Sequence, residues 1–360
     1  MQTIDYPFGE VTPAIGEVLE ITSGVKWIRM PLPFALDHIN LWLIKDYFDG
    51  REGWTLVDCG IANQRTQEAW EQVFLNALDG MPIVRVIVTH MHPDHLGLAT
   101  WLTERWHAPL WMTMTDYVLA KWLVSPAGSS LGSQAGGGGA ADHFSRHGLN
   151  DLADLEKIRA RSNYYSQMVP SVPAQFRRMM DGDELSIGGV GWEVVVGYGH
   201  APEHASLWCE ALNILISGDM VLPRISTNVS VFDSEPNANP LALYLNSLSQ
   251  LSHLPSVTLV LPSHGKPFRG IHERIHALKK HHEDRLTETI EACRIKPQSA
   301  REIIPVLFRR ELDLHQLTFA MGEAIAHLNY LWLDGCLSRE LCSDGVLRFS
   351  CLPNHQMPSR

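Results

Sequence analysis

The sequence has no long apolar run. Its longest apolar stretches are too short to cross a bilayer, and Met1 to Pro13 carries acids and prolines with no basic region leading into an apolar one. An untargeted, cytoplasmic protein without membrane contact is expected. Cysteine is scarce: Cys59, Cys209, Cys293, Cys336, Cys342 and Cys351 show no CxxC spacing and no disulfide framework. Isolated thiols suit a reducing compartment. Cys59 reads as a small buried apolar residue, the usual state of a free cysteine. Positive charge is in deficit, with 29 Lys and Arg against 40 Asp and Glu, a formal net charge of −11. Such a surface repels polyphosphate backbones, so nucleic acid is not an expected partner. The basic residues Lys279, Lys280, Arg285, Arg309 and Arg310 alternate with Glu283, Asp284, Glu288, Glu302 and Glu311, as on a mixed solvated helix face. The glycine-rich stretch Gly128–Ala141 lacks the Lys-Ser/Thr ending of a phosphate loop, which removes nucleotide binding there.

Histidine and aspartate, by contrast, are concentrated. In Thr89-His90-Met91-His92-Pro93-Asp94-His95-Leu96-Gly97, His90, His92, Asp94 and His95 fall at i, i+2, i+4 and i+5. That spacing matches neither a helical i, i+4 pair nor the alternation of a strand. It fits a strand leaving through a tight turn, with Pro93 forcing an extended approach and Asp94-His95 opening the next helix. The β-branched run Ile83–Val88 just before it reads as a buried strand. A lone histidine is usually a core or surface residue, but four imidazole and carboxylate donors at one strand end suit a borderline cation such as zinc.

Three more segments carry a donor past a predicted strand end. Trp192–Val196 runs into Gly199-His200-Ala201-Pro202-Glu203-His204, Leu212–Ser217 into Gly218-Asp219, and Val257–Leu261 into Ser263-His264-Gly265. Small residues beside each donor permit the close backbone approach a buried ion needs.

These donors, in the order HxHxDH, H, D, H, resemble the metallo-β-lactamase superfamily. The resemblance implies an α/β fold, an αββα sandwich with a metal centre at one edge. His90, His92 and His200 are similar to its first metal's ligands, Asp94, His95 and His264 to its second metal's, and Asp219 to the carboxylate bridging both. Asp58, in Leu56-Val57-Asp58-Cys59-Gly60, matches a family aspartate beneath the site that orients a ligand imidazole. His204 recurs in several branches, but no metal position is left for it, and a hydrogen-bonded structural role and a functional one stay equally open. The implied cofactors are two divalent ions, zinc first, with iron or manganese suited to the same donors.

Other branches are distinguishable. A subclass B1 lactamase has a cysteine where Asp219 stands, the flavodiiron branch has a carboxylate at His92, and the nucleic-acid-processing branch has a large insertion after the bridging aspartate. Glyoxalase II is similar in its ligands and different in the last third. There, a helix over His272–Cys293, another over about Leu314–Leu333 and a hairpin through Phe349 resemble the winged-helix module of the lactamase-beta-2-like hydrolases.

The expected organisation is a catalytic domain over 1–270 and a winged-helix-like module over 271–360. Strands are expected at Glu17–Ile21, Lys26–Met30, Ile39–Ile44, Thr55–Val57 and near Pro109–Met112, with helices at Gln64–Leu78 and His95–Trp106. A helical lid insertion occupies about 116–181: a short helix at Asp116–Leu123, the stretch Gly128–Ala141 without regular structure, and a helix from Leu152 to Met168 ended by Pro170 and Pro173. The aromatics and methionines of this insertion are expected mainly to pack it. Phe319, Ile325, Leu328, Leu331 and Trp332 make the C-terminal helix either core or a homodimer surface.

The chemistry expected is hydrolysis by hydroxide generated between two ions, with Asp219 and Asp94 as catalytic carboxylates. The substrate is a small molecule, an ester or acyl thioester, because a thiolate leaves without the protonation an amine needs. A lactone is the alternative, and a ribonuclease or nucleic-acid-binding protein using the winged helix is another.

Overall fold

Strands whose neighbouring side chains are all apolar must be covered on both faces, and the first sheet is built this way. Trp27 and Ile28, Trp42 and Leu43, and Val86 and Ile87 are adjacent pairs with at most 1% exposure. The computed structural model describes residues 4–126, 128 and 136–352. In it β1 (Val18–Thr22), β2 (Val25–Pro31), β3 (His38–Phe48), β4 (Arg51–Val57), β5 (Ile83–Ile87), β6 (Leu110–Thr113) and β7 (Arg177–Met179) form a seven-stranded sheet in chain order. Pairing is antiparallel through β4 and parallel from β4 to β7. A second sheet of order β12-β11-β10-β9-β8 contains β8 (Glu184–Ile187), β9 (Val190–Gly197), β10 (His204–Cys209), β11 (Ile214–Gly218) and β12 (Leu259–Pro262).

One face of the first sheet, with Trp27, Trp42, Val57 and Ile87, packs on Trp192, Val194, Leu207, Ile216 and Leu261 of the second. The other face, with Ile28, Leu41, Leu56 and Val86, meets Trp70 and Val73 of α1 (Gln64–Asn76), Leu102 of α3 (Ala99–Trp106) and Ala120 of α4 (Met114–Leu123). This is the expected sandwich. Its strands stop together where the donors begin: β5 before His90, β9 before His200, β11 at Asp219 and β12 before His264.

The described residues form two compact units, one from 4–125, Tyr165–Thr227 and Ser247–Ile275, the other from 126–164, Asn228–Asn246 and 276–352. All the donors lie in the first. In the second, the helix Ala300–Leu307 opens with a Ser299/Glu302 capping box and Leu314–Leu333 with an Asp313/Gln316 box, so both starts satisfy their own backbone donors. The hairpin Leu337–Leu341/Leu347–Cys351 follows. Ile325, Leu328 and Leu331 are fully buried within the chain, while Phe319 is 37% exposed.

Three local expectations are corrected. The helix expected over His95–Trp106 is two, α2 (Pro93–Leu96) and α3, separated at Gly97-Leu98. A Cβ at Gly97 would lie 2.6 Å from Ala62 N and 2.7 Å from Gly60 O, so glycine lets this turn press against the loop after β4. The glycine-rich stretch ends in regular structure: Gly137, at φ +92°, precedes a helix over Gly138–Arg146. Residues 129–135 of that stretch lie outside the described residues. The segment read as one helix from Leu152 is broken into Leu152–Arg159 and Tyr164–Met168.

Candidate metal centre

The parallel pairing of β4 with β5 brings two loops side by side. Asp58 follows β4 in the left-handed region (φ +64°), and Thr89 follows β5. Asp58 Oδ1 accepts from Thr89 N at 2.8 Å, and Oδ2 accepts from His95 Nδ1 at 2.7 Å. Pro93 then starts α2, with His92 as an extended N-cap. His95 is thereby held with Nδ1 committed and Nε2 directed into the site. His264 is fixed likewise: its Nδ1 donates to the carbonyl of His38 at 2.9 Å. His90 Nδ1 lies 3.0 Å from Thr89 Oγ1.

The seven donors gather as His90, His92, His200 and Asp219 on one side and Asp94, His95 and His264 on the other. Asp219 serves both. Its Oδ2 is 3.3 Å from His200 Nε2, whereas Oδ1 is 3.6 Å from His95 Nε2 and 3.4 Å from His264 Nε2. Asp94 Oδ2 is 3.7 Å from His95 Nε2 and 3.4 Å from His264 Nε2. His200 Nε2 stands 3.2 Å from His90 Nε2, which is 2.9 Å from His92 Nδ1.

Most of these separations are long for hydrogen bonds. They match the ~3.4 Å between neighbouring ligand atoms of a tetrahedral ion with bonds of about 2.1 Å. His95 Nε2 and Asp219 Oδ1 are buried without a hydrogen-bond partner, a costly state in a dry site. Donor type, spacing and orphaned atoms thus fit divalent cations.

The electrostatics say the same. Burial pushes His90 and His204 well below the usual histidine range, and burial with the neighbouring His200 takes His92 to about 3. Burial acts the same way on His95 and His264, but carboxylates overcome it: Asp58, Asp94 and Asp219 raise His95, and Asp219 and Asp94 bring His264 to about 10. Burial would raise Asp219, yet His264 and His95 hold it well down. The carboxylates that act on His95 and His264 concentrate negative charge at this point, the charge that bound cations would neutralise.

Not every site residue is a donor to the cage. His204 Nε2 accepts from Asp219 N at 3.0 Å, so this histidine fixes the backbone that carries Asp219. A Cβ on Gly218 (φ +52°) would lie 2.3 Å from His204 Nε2, which explains the glycine. Asn40 donates to the carbonyls of Pro262 (2.8 Å) and Gly265 (3.0 Å), and His38 Nε2 accepts from Gly265 N at 3.0 Å. Sequence reasoning missed these braces, and it missed Asp116. This fully buried carboxylate accepts from Met91 N at 2.8 Å and Glu203 N at 2.7 Å. Tyr165 OH donates to the Met91 carbonyl at 2.5 Å. The available signal was faint: an acidic residue in the first turn of an apolar helix, explained equally well by the helix dipole.

Residues 35–264 match the family model described as the metallo-beta-lactamase superfamily, and 286–352 match the metallo-beta-lactamase-like C-terminal domain. A crystal structure of a beta-lactamase domain protein from Burkholderia ambifaria is 55% identical, with a TM-score of 0.91, covering 97% of this chain and 98% of that one. The probable metallo-hydrolase YqjP of Bacillus subtilis (strain 168) is 26% identical over 325 residues, 86% of this chain and 92% of that protein. The beta-lactamase-like protein 2 homolog of Caenorhabditis elegans is 27% identical over 177 residues, 48% of this chain and 52% of that protein.

Proposed function

The chain belongs to the metallo-β-lactamase superfamily, and from that premise we propose that it is a dinuclear metal-dependent hydrolase of esters or acyl thioesters. The observation that carries this reading is the placing of Asp219, one oxygen toward each donor group. His90, His92 and His200 would hold one cation and Asp94, His95 and His264 the other, with Asp219 shared. Zinc suits these donors, as do iron and manganese. When bound, such a pair lowers the pKa of a water toward about 7 and polarises a carbonyl.

The protein's own part is to fix the cage. Asp58 and the His38 carbonyl set the tautomers of His95 and His264, His204 holds the Asp219 backbone, and Asp94 would help orient the attacking water. The buried acids behind the loops are committed elsewhere: Asp116 accepts from two backbone amides and Tyr165 donates to one carbonyl. A leaving group that needs no proton therefore suits the site, which favours thiolates and activated alkoxides over amines.

We read the helices and hairpin from residue 271 onward as a winged-helix-like module of the lactamase-beta-2-like branch; residues 286–352 of it match the metallo-beta-lactamase-like C-terminal domain. Free, mostly buried thiols favour a cytoplasmic location. The test is to strip the protein with chelator, restore zinc, manganese or iron, and assay acyl thioesters beside a lactone panel. Metal-restored thioester cleavage is expected. Faster lactone opening would reassign the substrate, and activity surviving complete metal removal would overturn the metal-dependent mechanism.

A further inference from the structure

The two loops that carry the first donor group are far apart in sequence and meet at their bases, where Ala205 N donates to the Thr89 carbonyl at 2.8 Å. Beyond that point the N-terminus of α4 ties them together. Asp116, in its first turn, spans the gap: Oδ1 takes the amide of Met91, between His90 and His92, and Oδ2 takes the amide of Glu203, three residues beyond His200. The attachment is reciprocal. Glu203 Oε2 accepts from Thr115 N at 3.0 Å, capping α4 with a residue of the ligand loop, and Thr113 Oγ1 donates to the Glu203 carbonyl at 2.8 Å.

We propose that Asp116 is a positioning residue that sets the separation between the His90/His92 pair and His200, and hence the affinity of the first cation site. The inference rests on the hydrolase reading only in taking those histidines as ligands. A carboxylate is required because both partners are N–H donors. Asparagine offers one acceptor and turns an NH2 toward the second donor. Glutamate keeps both acceptors on a longer stem. Asp116 is fully buried, so water cannot substitute at either amide. The side chain does not belong to the cage, since neither donor group includes it.

The experiment titrates chelator-stripped full-length protein with zinc against a competing indicator, and with cobalt followed by visible absorption. Wild-type protein is expected to take two ions. Asp116→Asn is expected to weaken one of them by about 10–100-fold, the range for groups that orient ligands, and to change the cobalt spectrum, while the other ion binds as before. Asp116→Glu is expected to recover part of the lost affinity. In steady state the loss should fall on kcat at sub-saturating metal, with KM little changed. An Asp116→Asn protein with both affinities and the cobalt spectrum of wild type overturns the proposal. If that variant does not fold, as judged by far-ultraviolet circular dichroism, Asp116→Glu carries the test, because its extra methylene must displace one loop. An unshifted cobalt spectrum with wild-type affinity then overturns it. Wild-type protein that takes up two ions but cleaves no ester or thioester sinks the hydrolase reading and leaves this metal readout intact.

Discussion

Replacing Asp58 by asparagine removes one proton acceptor from a fully enclosed pair. Asp58 Oδ2 accepts from His95 Nδ1 at 2.7 Å, and the two side chains are 2% and 0% exposed. An amide nitrogen facing Nδ1 drives the imidazole to its other tautomer, which places a proton on Nε2, where the cage requires a lone pair. A hydrogen bond to a charged group is worth about 1.5–3 kcal/mol. At about 1.4 kcal/mol per tenfold, that is roughly a 10–150-fold loss of affinity, overlapping the 10–100-fold typical of such orienting partners. The loss should be confined to the ion beside Asp94, His95 and His264. Asparagine is the fair probe because Asp58 sits at φ +64°, a conformation Asn tolerates, whereas Ala adds about 1–2 kcal/mol of backbone strain. Competitive zinc titration measures the affinity, and thermal unfolding separates the strain of Asp58→Ala from the electrostatics of Asp58→Asn. Two wild-type affinities in Asp58→Asn would refute the reasoning, and so would a loss on the other ion.

Asp219→Asn should lower metal content toward one ion per chain and cut turnover sharply, read by elemental analysis beside the assay; two retained ions at full rate would remove its bridging role. Gly218→Ala should lower metal content without changing any donor, because the added methyl must push His204 off the Asp219 amide; unchanged occupancy would contradict this. The second unit should weaken in acid. Burial lowers His143 to about 3, His147 to about 4, His282 to about 2 and His327 to about 4, so the unfolded chain takes up protons near pH 6.5 that the folded unit refuses. Their contribution is intact above about pH 6.5 and is lost as pH falls toward 4, by at most about 1.4 kcal/mol per pH unit for each histidine. Urea unfolding at pH 7 and 5 measures the slope, which His282→Gln should reduce; an equal slope in the variant would count against burial as its cause.

The sandwich and the donor set were legible because both are local. β-branched runs announce strands, and a metal accepts few residue types, so donors after strand ends stand out in one sequence. The tautomer-setting bond of Asp58 was legible only through the family resemblance. Asp116, Asn40 and His38 were not, since each acts on backbone groups distant in sequence and no residue pattern marks such a partner. Gly138 misled because glycine disfavours helix, yet Gly137 at φ +92° supplies a start that tertiary packing sustains. The division into units was equally hidden: the described residues of 126–164 cluster with 228–246 and 276–352 through contacts that no sequence period records.

Asp219 is proposed to stand between two cation sites at the edge of the sandwich. Anomalous scattering at the zinc edge, on crystals of stripped and reconstituted protein, tests it most directly. Two peaks are expected, one beside each oxygen of Asp219, the first among His90, His92 and His200, the second among Asp94, His95 and His264. No peak, or zinc bound only elsewhere on the chain, would contradict the account.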